Sequence, residues 1–238
     1  VKACYDYAVG YSTPFISGKD SMFNDFKGYD EKGNSVAISI PPTLLISAIS
    51  VMNDLNKTIS PEFKNSGDVI YLLGETHDEL GGGEYFKMLK TFGGNVPKVN
   101  LEKNIKTYQA LEKAIEKELL ASAISLNSGG LGIAFAKACV GGMLGCDVSI
   151  SQIESKALSS EIKLFSESQG RILVSVSPKN AKDFEKIIKN IHHTKLGKTN
   201  SDGKITITNN NNKIIETNIK KLHKIYHKFS ESMKQKQG

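Results

Sequence analysis

The chain has 238 residues, 39% apolar and 24% charged, with a net charge of +6, which is the balance of an ordinary globular protein able to bury one large core or two modest ones. No apolar run reaches the roughly 18 residues of a membrane-spanning helix, and the start, Val1-Lys2-Ala3-Cys4, lacks the charged-then-apolar order of a signal peptide, so a cytoplasmic protein without membrane contact is expected. The excess charge sits largely in the lysine-rich end from Lys213 to Lys236, while Arg171 is the sole arginine; a nucleic-acid partner, which would draw on arginine and interleaved aromatics, is not expected.

The first helix is expected from Lys2 to Tyr11, closed before Pro14, with Pro14-Phe15-Ile16 as a brief strand. A polar loop, Ser17-Gly18-Lys19-Asp20-Ser21, follows. Beyond the turn-rich stretch Gly28 to Asn34, Val36 to Ile40 alternates like a half-buried strand, and the denser Thr43 to Met52 reads as a strand covered on both faces. Asn53 to Gly67 is polar and contains Pro61, which makes it the domain boundary. Asp68 to Leu73 opens the second unit as a strand, and Gly81-Gly82-Gly83 precedes a helix from Glu84 to Thr91.

A longer helix is expected from Asn104 to Leu120, with Ile105, Tyr108, Leu111, Ile115 and Leu119 as its apolar stripe. Gly129 to Val140 is almost wholly apolar and reads as a buried helix. Val148 to Ile150, Ile172 to Val176 and Ile205 to Ile207 are strands, Ala181 to Ile191 and Ile219 to Met233 helices, and Asn209 to Asn212 a hairpin turn. Strands and helices mix without strict alternation. That favours an α+β, two-layer α/β sandwich over a doubly wound sheet.

Three kinds of segment could carry chemistry. In Gly18-Lys19-Asp20-Ser21 a glycine admits close approach to a phosphate, a lysine brings charge and an aspartate could hold Mg²⁺, but Walker spacing is missing and a tight turn explains the tetrapeptide equally well. The glycine clusters Gly81-Gly82-Gly83 and Ser128-Gly129-Gly130 precede helix starts, where free N–H groups suit an anion; close packing of small residues is the favoured reading of each alone. In Glu167-Ser168-Gln169-Gly170-Arg171 the arginine could clamp a phosphate or carboxylate, or make a surface ion pair. His77, His192, His193, His223 and His227 form no metal motif, and Cys4, Cys139 and Cys146 are read as buried structural thiols in a reducing compartment.

Six segments in succession extend this reading. Pro14-Phe15-Ile16-Ser17-Gly18-Lys19-Asp20-Ser21-Met22, Pro42 to Ala48, Gly67 to Gly74, Asp78-Glu79-Leu80-Gly81-Gly82, Ser128 to Gly132 and Leu164 to Ser168, taken in order, resemble the second half of PurL-type phosphoribosylformylglycinamidine synthases. The resemblance runs from residue 1 to about residue 208. It implies a PurM/AIR-synthetase-like C-terminal domain at residues 61–238, preceded by the trailing part of an N-terminal domain at residues 1–60, in a chain that belongs to a longer protein.

The implied chemistry is an ATP-dependent amide-to-amidine ligation in purine biosynthesis. ATP and Mg²⁺ serve as cofactors, and ammonia comes from a glutaminase domain or subunit. By the same resemblance Gly18 and Lys19 lie against ATP and Ser21 against the small-molecule substrate, with Asp20 a further phosphate or metal contact. The loop would reach into the active site of the first half of the same synthase, and this half would not act alone. Where relatives carry Asp-x-Ser-Asp-Gly-Gly, this chain has Ser125-Leu126-Asn127-Ser128-Gly129-Gly130, with both carboxylates replaced. That departure supports the alternative of a non-catalytic scaffold half that docks the glutaminase. Self-association through the apolar stretch Leu44 to Val51 is also expected.

Overall fold

The structure is a computed structural model and describes residues 1–19, 25–41, 43–52, 54–153 and 158–235. The chain divides into two compact units, Val1–Leu55 and Asn56–Gly238.

In the first unit, helix α1 (Lys2–Gly10) precedes a hairpin of β1 (Phe26–Tyr29) and β2 (Ser35–Ile38), paired from Phe26↔Ile38 to Tyr29↔Ser35. Asp30 shapes the turn: its carboxylate accepts from the Lys32 and Asn34 N–H groups and from the Asn34 amide. The Asn34 side chain, followed by these backbone donors, lowers its pKa. β1 was hidden because Gly28 reads as turn chemistry.

Two expectations fail here. Pro14-Phe15-Ile16 forms no strand, and Thr43 to Met52, among its described residues, has no regular structure. Leu45, Ile49 and Val51 are 85%, 85% and 90% exposed, against an expectation of burial on both faces. Strand composition makes a strand only where a neighbour completes the ladder, and no strand pairs with this stretch among the described residues.

The second unit begins with a 3₁₀ turn at Leu55–Lys57 spanning the division. Its further elements are β3 (Val69–Leu73), α2 (Glu84–Met88), α3 (Leu101–Glu116), β4 (Leu120–Ser125), α4 (Gly130–Gly142), β5 (Gly145–Ser149), α5 (Ser160–Phe165), β6 (Ile172–Val176), α6 (Ala181–Ile188), β7 (His193–Asn200), β8 (Lys204–Asn209), β9 (Asn212–Asn218) and α7 (Ile219–Gln235). The strands form one mixed sheet in the order β4-β6-β3-β7-β5-β8-β9. Only β5 and β8 pair in parallel.

The sheet is an α+β sandwich with a core on each face. Every residue of β3 and β6 is buried. Ile70, Leu72 and Leu173 point to one core with Leu131, Phe135 and Leu164 of α4 and α5. Val69, Tyr71, Leu73 and Val174 point to the other, with Ala114 of α3 and Phe184 of α6. A central strand covered on both sides has no polar face to show, hence the unbroken VIYLL of β3. Asn210 and Asn211, both at positive φ (49° and 63°), make the tight β8–β9 turn.

Helix α3 departs from its expected face. Its buried side chains are Asn104, Thr107, Ala110 and Ala114, whereas Tyr108 is 40% exposed and Leu111 and Ile115 only flank the core. Small residues face the sheet, and the larger aliphatics lie beside the contact. Strand β4, written in Leu120-Ala121-Ser122-Ala123-Ile124-Ser125, escaped detection because alanine and serine carry little strand signal.

Candidate functional site

The register of the sheet gathers the chemistry-bearing loops. β3 runs antiparallel to β6 and β7, so Leu73 pairs with Ile172 and with His193. β4 joins the same end through Ser125↔Ile172. The segments after β3 and β4 and those before β6 and β7 therefore meet at one end of the sheet.

Segment 166–171 is the hub there. Ser166, Ser168 and Arg171 are 0%, 1% and 1% exposed. Ser166 Oγ accepts from Glu79 N (3.3 Å) and Ser168 Oγ from His77 N (3.1 Å), which ties the hub to the loop after β3. Arg171 donates to the Ser166 carbonyl, to the Ser168 carbonyl (3.1 Å) and to Thr76 Oγ1 (3.1 Å). It is therefore neither a phosphate clamp nor a surface ion pair. Its guanidinium staples two loops from within.

Glu167 joins the two glycine clusters that the sequence presented separately. Its Oε1 accepts from Glu84 N (2.8 Å) at the start of α2 and from Gly129 N (2.9 Å) at the start of α4. A carboxylate of the chain itself thus occupies the position at which an external anion would meet both helix starts. The glycines are required by close approach: a Cβ at Gly130, where φ is +60°, would lie 2.4 Å from the Ser166 carbonyl oxygen. A Cβ at Gly81 would lie 2.7 Å from that of Asn95. Glu167→Ala leaves both N–H groups without this acceptor and is expected to cost about 2 kcal/mol of unfolding free energy. Glu167→Gln keeps an acceptor and should lose less than half of that; equal losses in urea titrations would contradict the capping role.

A second feature of this sheet end is a cleft of about 220 Å³ lined in part by Glu75, Lys98, Lys103, Asn104, Lys106 and Thr107. Lys103 pairs with Glu75 (2.6 Å), and His77 Nε2 approaches the same carboxylate at 3.4 Å. Glu79, 5% exposed, accepts from Lys98 N (3.0 Å) and so fixes the backbone that presents Lys98. The sequence presented His77 only as a histidine outside any metal motif and Glu79 only within Asp78-Glu79-Leu80-Gly81-Gly82, and it gave no role to Glu75, Lys98, Lys103 or Lys106. The available signal was polar Asn104 and Thr107 three apart on one helix, at positions that turn out to be buried.

Of the residues expected to touch ATP or substrate, Gly18 and Lys19 belong to the first unit and are exposed. A Cβ at Gly18 would meet nothing within 4 Å. Asp20 and Ser21 lie outside the described residues. His223 and His227 have ring centroids 4.3 Å apart, but no group of three or more metal-ligating His, Cys, Asp or Glu occurs among the described residues. Cys139 and Cys146 are fully buried with sulfurs 3.8 Å apart, while Cys4 is only partly covered. The Cys139 sulfur and burial push the Cys146 thiol up, which keeps it protonated and inert.

The family described as AIR synthase related protein, C-terminal domain, matches residues 65–209. The chain is 30% identical over 239 residues to the phosphoribosylformylglycinamidine synthase subunit PurL of Methanococcus aeolicus, which covers 98% of this chain and 31% of that protein. It is 33% identical over 225 residues to the corresponding subunit of Alkaliphilus metalliredigens, covering 90% and 28%. The chain thus spans about a third of the length of these curated relatives. Its backbone is similar to that of Thermotoga maritima PurL complexed with FGAR, with a TM-score of 0.70 at 16% identity over 92% of this chain and 36% of that one. It is also similar to a chain of PurLQS from Thermotoga maritima, with a TM-score of 0.59 at 18% identity over 71% and 28%. At these identities the structural likeness is one of fold.

Proposed function

The chain belongs to the AIR synthase related protein family through the C-terminal domain at residues 65–209, and from that membership we propose that it is part of a PurL-type phosphoribosylformylglycinamidine synthase of purine biosynthesis. The observation that carries this reading is the extent of the match to a PurL subunit, 30% identity across 98% of the chain. The proposed reaction of the whole synthase is ATP-dependent. The formamide oxygen of formylglycinamide ribonucleotide is phosphorylated, and glutamine-derived ammonia then displaces the phosphate to leave the amidine. Residues 1–60 are assigned to the trailing part of an N-terminal domain and 61–238 to the C-terminal domain.

In this reading Gly18 lets the backbone approach ATP, and Lys19 acts as a point charge against its phosphates. Ser21 contacts substrate and Asp20 a phosphate or metal. The described residues bring no carboxylate cluster together, so no step is assigned to Mg²⁺ on them. The reading also places the chain in the cytoplasm, beside the first half of the synthase and a glutaminase partner. In the full synthase Lys19→Ala is expected to lower kcat about 100-fold with the melting temperature unchanged. Near-normal turnover would remove Lys19 from the site. The exposed Leu44, Leu45 and Ile49 support self-association of this chain, and a monomer at high concentration in sedimentation would overturn that part.

A second reading, a scaffold half without nucleotide, has its own support. Ser125 and Ser128 offer no carboxylates, and the Glu167 carboxylate already fills the position between the two helix starts. Under it, Lys19 and Ser21 variants keep full turnover, whereas variants at the interface with the first half lose it.

A further inference from the structure

We propose that the cleft between the end of β3 and the first turns of α3 is a binding site for a phosphoryl group, free or carried on a small metabolite. Its lining sets three lysines, Lys98, Lys103 and Lys106, against one carboxylate, Glu75. Glu75 is already held by Lys103 at 2.6 Å. The partner of Lys106 is Glu102, four residues away and 79% exposed, and an open i,i+4 pair of this kind gives way readily to a stronger anion. The cleft therefore presents an excess of positive charge that the chain does not neutralise inside it.

Asn104, 7% exposed, lines the cleft as well. Its amide carries both donors and an acceptor, which a ligand in the cleft can use. The placement of this amide is enforced. Gly170, at φ +78°, would drive any Cβ to within 2.0 Å of Asn104 Oδ1, so the turn before β6 keeps that space for Asn104. Thr107, one helical turn on, is held by its bond to the Lys103 carbonyl (3.0 Å) and shapes the same wall.

The cleft is also of a useful size. At about 220 Å³ it offers on the order of fifteen times the space that one water needs. It opens at the start of the 16-residue helix α3, where Asn100 caps the Lys103 N–H (3.1 Å) and the helix dipole adds to the lysine field. Lysines hold phosphate as mobile point charges. The Asn104 amide would exchange hydrogen bonds with whatever carries the phosphoryl group. The cleft is lined by residues of the second unit alone, so the proposal stands or falls independently of the roles given to Gly18 and Lys19.

The test is a titration of the whole chain with inorganic phosphate and, separately, with ribose 5-phosphate at low ionic strength, read by calorimetry and by backbone amide shifts. Saturable binding is expected, with shifts centred on residues 74–77 and 98–107. The double variant Lys98→Gln/Lys106→Gln should weaken it at least about ten-fold with an unchanged melting temperature. Asn104→Leu should weaken ribose 5-phosphate more than phosphate if the amide reads the carrier, and both equally if the natural ligand is the free ion. Absence of saturable binding, binding undiminished in the double variant, or equal displacement by chloride at matched ionic strength would overturn the proposal.

Discussion

Arg171→Met is expected to cost about 4 kcal/mol or more, enough to leave much of the second unit unfolded at 37 °C if its stability lies in the ordinary range of about 5–15 kcal/mol. Arg171 is 1% exposed, and its bonds to the Ser166 and Ser168 carbonyls and to Thr76 hold the hub against the loop after β3. The opposing argument is that burying a guanidinium is itself costly, and that replacing buried ionic groups with apolar ones is sometimes stabilising. That gain requires the partners to be replaced as well. Here the Ser166 and Ser168 acceptors are backbone carbonyls, which no substitution removes, and each stays buried without its donor at about 1–3 kcal/mol. The loss therefore wins. Arg171→Lys should also fail, because one ammonium cannot serve acceptors spread around a planar fork. An unfolding free energy for Arg171→Met, from urea titration, within about 1 kcal/mol of the parent would refute the staple.

Gly142→Ala is the second large effect, expected at about 3 kcal/mol or more, although helix propensity alone favours alanine by about 1 kcal/mol. A Cβ at Gly142 would lie 2.0 Å from the Phe63 carbonyl oxygen and 2.9 Å from its carbon. Both are backbone atoms, so no rotamer change relieves the contact. The end of α4 must then move away from the Phe63 segment, whose side chain is 2% exposed in the core, and the Phe63 N to Ala138 O bond (3.1 Å) is lost with it. Gly18→Ala is the matched control. With nothing within 4 Å of its Cβ, it should leave thermal stability unchanged. Equal melting temperatures for Gly142→Ala and the parent would mean that α4 slides freely over Phe63.

Much of the second unit was legible because its signals are local. The apolar runs of β3 and β6, the continuous apolar helix α4 and the Asn210-Asn211 turn each express their preference within a few residues. The same logic failed for Thr43 to Met52, whose composition is that of a strand but which lacks a partner among the described residues. It failed for α3 as well. The periodic aliphatics predict one buried face, but close packing selects Ala110 and Ala114 and carries polar Asn104 and Thr107 inward with them.

The candidate site shows the division most clearly. Segment 166–171 and the glycine clusters were visible as separate segments, each with an anion or a packing reading open. Which reading held depended on Glu167 meeting Glu84, 83 residues away, and Gly129, 38 residues away. By itself the sequence determined most of the helices, the strands β3 and β6, the β8–β9 turn and the family resemblance, because periodicity, turn chemistry and the order of motifs lie within the chain, whereas α5 and the middle strand β7 carried no such signal. The tertiary structure alone decided the buried staple of Arg171, the filled anion position and the cationic cleft. Each of these arises from sheet register, which brings distant loops to one end of the sheet, and no window of neighbouring residues contains that information.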